Sequence, residues 1–246
     1  MKSGLIFLSL LFVVTTTHAA CEDEAGEGVN WTGCDKSGLD LSGVDLKSAV
    51  LRRVNFTNSN LSNARLQDVD LSFSILKNTN FEKSRMERSR INNAKITNSK
   101  FTAAVLDEAR FSRANIISSD FSNSRLNKAN FYDAKIKHSH FKKSELNSSD
   151  FTGAKIIAGD FEGAIAQMAL FSRTDLESAN FKQADLREAK FDEANLLNVQ
   201  FNNADLSRAS IRDAIIDGAI FDNAKLDSTT WVKYQRCRNG SVGVCQ

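Results

Sequence analysis

Every fifth residue from Leu41 to Leu226 is large and apolar. Of the 38 positions in this series, 15 are Leu, 14 are Phe, 7 are Ile and one is Met; only Ala166 departs. The position two residues earlier, 39, 44, 49 and on to 224, is Ala, Ser, Thr or Gly in 33 of 38 cases. A period of five matches neither the helix nor the strand, so neither an amphipathic helix nor a long alternating strand carries the pattern. The chain must bend within every repeat. In an extended pair, residues two apart point the same way, which puts the small and the large residue of each pentad together on the inside. The two residues that follow, such as Ser122-Asn123 or Asn202-Asn203, have turn composition. The chain contains no proline, as expected where stacked coils need their N–H groups for ladder bonds.

The triplets Ala-Asn-Phe, Ala-Asp-Leu and Ala-Lys-Ile recur throughout residues 39–231. They resemble the A(D/N)LXX pattern of the pentapeptide-repeat family. That resemblance implies an all-β fold, a right-handed quadrilateral β-helix with four pentapeptides per coil and short capped ends. The 38 pentads would then make nine to ten coils, a rod roughly 45 Å long at ~4.8 Å per rung. From Phe101 to Phe141 the large residues alternate between Phe and aliphatic. With four pentads per coil, Phe would line two opposite sides and Leu or Ile the other two, filling a narrow interior.

The segment before the repeat reads as an export signal. Met1-Lys2 is a short positive region, Leu5 to Val14 an apolar core, and Thr15 to Ala20 ends in small residues. Residues 1–20 are therefore expected to be a signal peptide and the product periplasmic or secreted. Cleavage after Ala20 would expose Cys21, which raises a lipoprotein alternative, although a lipobox carries Leu where this chain has His18. The expected organisation is an N-terminal cap at 21–38, the repeat at 39–231 and a disulfide-closed C-terminal cap at 232–246. Four cysteines fall in two sequence-local pairs at the ends, Cys21 with Cys34 and Cys237 with Cys245, and suit an oxidising compartment. Three connectivities are possible, and local pairing is expected because the alternatives need the two ends to meet. A zinc site lacks the CxxC spacing and nearby histidines it would use. The Trp-x-x-Cys opening and Cys-x₇-Cys close resemble exported bacterial members of the family.

Signatures of catalysis are missing: there is no Ser-His-Asp, P-loop, HExxH or Rossmann pattern. No cofactor, metal or small-molecule substrate is expected. The one metal-like constellation follows from the family geometry, which would stack Asp120, His140 and Asp160 in an outward column near His138; a surface charge ladder explains it equally. Charge is balanced overall, 32 Lys and Arg against 30 Asp and Glu, but not along the chain. Residues 83–143 hold 14 basic and 5 acidic residues, net +9, and residues 145–230 hold 8 and 15, net −7. The basic band, with Arg85, Arg88, Arg90, Lys95, Lys100, Arg110, Lys135 and Lys142, is the candidate partner surface. Outward apolar residues form a second candidate: Ile117, Ile157 and Leu197 with Ile215, and Ile165, Met168 and Leu170 beside the Ala166 break.

These features point to an exported, non-enzymatic binding or scaffold module. Its rod would meet an anionic envelope component or another protein, with self-association through the bipolar charge as a further route. The resemblance also offers an alternative, because cytoplasmic relatives mimic B-DNA and protect DNA gyrase. An export signal and balanced charge argue against it, and against nucleic acid as a partner.

Overall fold

The computed structural model describes residues 21–246; the expected signal peptide lies outside the described residues. Backbone bridges link each residue to the one twenty positions later, in parallel, from Asn30↔Val50 to Ser210↔Thr230. Twenty residues are four pentads, so the chain is a four-sided parallel β-solenoid. We name the sides by their bridging columns: side A through Asn30, Val50 and Asp70, side B through Asp35, Asn55 and Ile75, side C through Asp40, Asn60 and Asn80, and side D through Asp45, Arg65 and Arg85.

Only side B carries strands longer than a bridge: β1 (Ile75–Lys77), β2 (Lys95–Thr97), β3 (Asn115–Ile117), β4 (Lys135–Lys137) and β5 (Lys155–Ile157), paired in parallel in that order. The sheet proper therefore spans five coils, fewer than the nine to ten expected from the repeat, and single bridges join the others. The difference lies in the turns. On most sides the N–H of the small residue donates to the carbonyl of the large residue three earlier, as Ala109 does to Leu106 at 3.0 Å. On side B a hydroxyl from the next coil intercepts that N–H: Thr79 donates to Ser99 Oγ, Ser99 to Ser119 Oγ and Ser119 to Ser139 Oγ, each at 3.2 Å. Freed from the tight turn, and β-branched at Ile96, Ile116, Ile136 and Ile156, this side stays extended.

The second turn residue of each pentad has positive φ, from Ser48 (58°) to Ser228 (56°). Asn, Asp and Gly, common at these positions, tolerate this left-handed geometry. Where Asp or Asn precedes the large residue, its side chain accepts from the turn, and in some coils also bonds the neighbouring coil. Asn60 Oδ1 accepts the Ser62 N–H at 3.1 Å, while its Nδ2 donates to Asp40 one coil back at 2.9 Å.

Inside, from Phe101 to Phe201, Phe fills the inward columns of the opposite sides A and C, and aliphatic residues fill B and D. Within a column, Phe101 and Phe121 stack at 4.5 Å, and across columns Phe111 and Phe121 meet edge-on at 5.8 Å and 84°. Trp31 and Trp231 stand at the two ends of the side A column. The inward slot of the first coil on side B holds Lys36, half-buried, whose ammonium lies 4.0 Å over the Trp31 ring and donates to Cys21 O at 2.6 Å. Cys21–Cys34 closes this end with a Cα separation of 5.5 Å. At the other end the chain reverses through the 3₁₀ turn Val232–Tyr234 and lays antiparallel bridges Thr230↔Arg236 and Lys225↔Val242 across sides A and D, closed by Cys237–Cys245.

Candidate interaction surface

The coil geometry distributes the eight basic candidates over all four sides. Arg90 and Arg110 lie on side A, Lys95 and Lys135 on B, Lys100 and Lys142 on C, and Arg85 and Arg88 on D. Several are already engaged. Arg88 makes two bonds to Asp68, at 2.8 and 2.7 Å, and the pair holds the Asp68 carboxyl below and the Arg88 guanidinium above their usual pKa. Arg85 reaches Glu87 at 2.8 Å. Lys142 lies 3.1 Å from Asp160 and 3.2 Å from Glu162, hydrogen bonds that raise its pKa. Arg90 is 3.6 Å from Asp70. Among the described residues Arg110, Lys95, Lys100 and Lys135 have no acidic side chain within ion-pair distance.

Asp120, His140 and Asp160 do share a column, bridged in sequence. His140 Nδ1 stands 3.6 Å from Asp160 Oδ2, but the Lys142 ammonium occupies that same carboxylate oxygen. His138 sits on the turn of side B, with φ of 51°. Among the described residues no group of three or more His, Cys, Asp or Glu side chains is placed to hold a metal.

The apolar candidates do not merge into patches. Ile117 and Ile157 each pair with Lys137 between them, and both are half-buried. Ile215, 55% exposed, belongs to a neighbouring column. Ile165 and Met168 are exposed on side D, whereas Leu170 is half-buried on side A.

Side A contains residues that a linear window over 83–143 leaves out. Arg52, Arg53 and Phe73 lie in the coils directly beneath Arg90 and Arg110; within the window, Arg113 stands in the coil of Arg110 and Tyr132 one coil above it. Reading the sequence in rows of twenty would have aligned them. Phe73 is 45% exposed and left-handed at φ 64°, with the Arg52 and Arg53 guanidiniums each 5.8 Å from its ring centre. Asp70 is buried between Arg52 and Arg90, at 3.4 and 3.6 Å, and accepts the Ser72 N–H at 3.0 Å. Two open grooves flank Arg110: one with Arg88, Arg90, Glu108 and Lys128, the other with Asn92, Arg113 and Tyr132.

Known families share this geometry. The pentapeptide repeats (8 copies) profile matches residues 27–63, 64–102, 169–208 and 189–227, and the pentapeptide repeat region profile matches 94–168. The chain belongs to the pentapeptide-repeat family. It is similar in structure to HetL, a pentapeptide repeat protein involved in heterocyst differentiation regulation from the cyanobacterium Nostoc sp. strain PCC 7120. That likeness has 25% identity and a TM-score of 0.51, and covers 85% of this chain and 92% of HetL. Weaker likenesses are to a thylakoid-lumen pentapeptide repeat protein of Arabidopsis thaliana, at 24% identity, TM-score 0.40 and coverage of 45% and 83%, and to QnrB1, a plasmid-mediated fluoroquinolone resistance protein, at 17%, 0.40 and 80% and 85%. No curated protein matches the chain.

Proposed function

We propose that this pentapeptide-repeat protein is an exported, non-enzymatic binding or scaffold module. In this reading, residues 1–20 are a cleaved leader, 21–38 an N-terminal cap, 39–231 the rod and 232–246 a closing lid. The rod presents its basic middle to an anionic envelope component or a protein partner in the periplasm or outside the cell. The observation that carries the reading is the filled interior. Phe, Leu and Ile side chains occupy the inward slots from coil to coil, with Phe101 to Phe201 fully buried in two stacked columns. What varies from coil to coil is the outer surface, and there charge separates into a basic middle and an acidic far half. Disulfides at both ends suit an oxidising compartment. Cys21 Sγ, engaged with Cys34, is not free to carry a lipid thioether.

The test is affinity capture from envelope extract, with elution by salt. An anionic component that is retained at low salt, released at high salt and lost with the triple variant Arg85→Glu/Arg90→Glu/Arg110→Glu is the expected result. Equal capture by the triple variant overturns the basic band as the contact. A DNA supercoiling assay is expected to be unaffected by the protein; inhibition would favour the topoisomerase reading instead.

A further inference from the structure

We propose that side A, from Arg52 to Asp133, is the binding surface, and that its ligand is an acidic polysaccharide lying along the rod, across successive rungs. The inference rests on the reading of the chain as a binder of anionic polymer, and adds which side binds and what class of polymer fits.

Four observations converge on this side. Over these five coils its outward positions carry Arg52, Arg53, Arg90, Arg110 and Arg113 against only Asp70 and Asp133. Asp70 is 7% exposed and braces Arg52 and Arg90 from below, so Asp133, 3.9 Å from Arg113, is the one exposed carboxylate on this stretch of side A. Next, Arg90 and Arg110 face each other directly across the ladder. Like charges so placed repel, and an anion seated between them removes the penalty. Arg110 has no acidic partner among the described residues, and it forms a wall of both flanking grooves.

Phe73 supplies the third observation. Among the described residues it is the one Phe with left-handed backbone, a region where a bulky side chain is a strained outlier; Tyr234, in the closing 3₁₀ turn, is left-handed as well. Nothing in the packing asks for it there, since the ring points outward and is 45% exposed. Tyr132, 40% exposed, lies three coils further along the same side. Exposed rings beside arginines suit sugars: the ring face receives the C–H face of a pyranose, and guanidinium pairs with carboxylate in a bidentate fork.

The fourth observation is shape. The grooves are open and the rungs repeat at ~4.8 Å, on the scale of one sugar ring, so a linear polymer can meet equivalent contacts from coil to coil. Single-stranded nucleic acid is bound by aromatic rings on which successive bases stack. Two rings three coils apart do not form such a platform.

The experiment measures binding of protein expressed from its full coding sequence to labelled polygalacturonate, with neutral dextran and an oligodeoxythymidylate in parallel. Binding to polygalacturonate alone, abolished near ~1 M salt where the Debye length is ~3 Å, is expected. Arg90→Ala and Arg110→Ala should each weaken it roughly tenfold, the scale of one charge-assisted hydrogen bond. Phe73→Asn should weaken it without lowering the melting temperature, because Asn accepts the left-handed turn. Lys77→Ala with Lys137→Ala, on side B and three coils apart, should change it by less than about twofold. An equal loss from the side B pair overturns the assignment to side A. Tighter binding of the oligonucleotide overturns the polysaccharide, as does sedimentation in which the basic middle only pairs rod with rod. Failure to bind any anionic polymer overturns the broader functional reading as well, whereas binding that ignores every side A variant overturns this inference alone.

Discussion

Phe151 and Phe73 are the same residue type under opposite physical demands. Phe151 is fully buried and stacks between Phe131 and Phe171 at 4.6 and 5.0 Å. Phe151→Asp should therefore destabilise by more than the ~3–5 kcal/mol typical of truncating a buried Phe, because an unpaired buried carboxylate is added. Phe73→Asp, on an exposed left-handed turn that Asp tolerates, should stay within about ±0.5 kcal/mol. A denaturant melt of both variants checks the pair, and equal losses would mean the register is misread. Carboxylates dominate the pH response. Ser37 bonds to Asp35, Ser42 bonds to Asp40, the Arg88 contact to Asp68 and the Arg187 contact to Asp185 all hold those groups below the usual range. Asp192 is lowered too, the bonds from Arg212 and Ser210 outweighing a burial penalty that is its largest single influence. A depressed native pKa means the unfolded chain takes up protons first as pH falls. The stabilisation is thus present above the unfolded value of ~3.9 and is lost as pH drops through the lower native values. Thermal midpoints should fall between neutral pH and pH ~3, and Asp185→Asn should flatten that dependence.

At the scale of the element, the hydroxyl ladder of side B sets where strands form. Ser99 Oγ accepts the Thr79 N–H at 3.2 Å and donates to the Leu76 carbonyl at 2.8 Å, fully inside the core. Ser99→Ala leaves the Thr79 N–H without a partner and should cost about 1–3 kcal/mol, whereas the Leu76 carbonyl keeps its place in the β1–β2 ladder. Ser84 is the contrast. Its own N–H already bonds the Phe81 carbonyl at 3.1 Å, and its hydroxyl only adds a second bond to that oxygen at 2.7 Å. Ser84→Ala should therefore cost less than about 1 kcal/mol. Urea midpoints of the two variants separate a ladder that sets strand geometry from serine that merely fills the small slot. The ladder ends at Gly159, which has no hydroxyl to offer the coil below.

For the molecule as a whole, stability is a sum of coil-to-coil contacts, so the exposed ends are where unfolding begins. Both ends are closed by local disulfides and by one tryptophan of the side A column. Replacing Cys237 and Cys245 by Ser should lower stability by about 2–4 kcal/mol, less if the short loop constrains the unfolded chain weakly. Early unfolding should then be confined to the last coils, visible as faster hydrogen exchange near Phe221 and Leu226 than near Phe141. Peptide mapping without reduction should recover the pairs 21–34 and 237–245; a peptide joining 34 to 237 would contradict them.

The pentad register, the inward and outward sides of every residue, the turn positions and the pairing of end cysteines were legible in the sequence. All but the pairing follow from local periodicity, in which one slipped residue would turn the apolar series outward; the pairing follows from the two cysteine pairs lying at opposite ends. Four sides came from family resemblance, because a period of five says that the chain bends without saying how often it bends before it closes. Only the folded coil decided which residues become neighbours twenty positions apart. That is why Arg53, Phe73 and Arg113 join Arg90 and Arg110 on one side, although some sixty residues of sequence separate the first from the last and the other three sides are interleaved between them. The same stacking placed Lys142 on the carboxylate that made the His140 column resemble a metal site, and replaced a tight turn by a hydroxyl ladder on side B. In a solenoid the sequence dictates what each residue contributes to its own coil, while lateral chemistry depends on the coils above and below, where side chains meet across the ~4.8 Å rung.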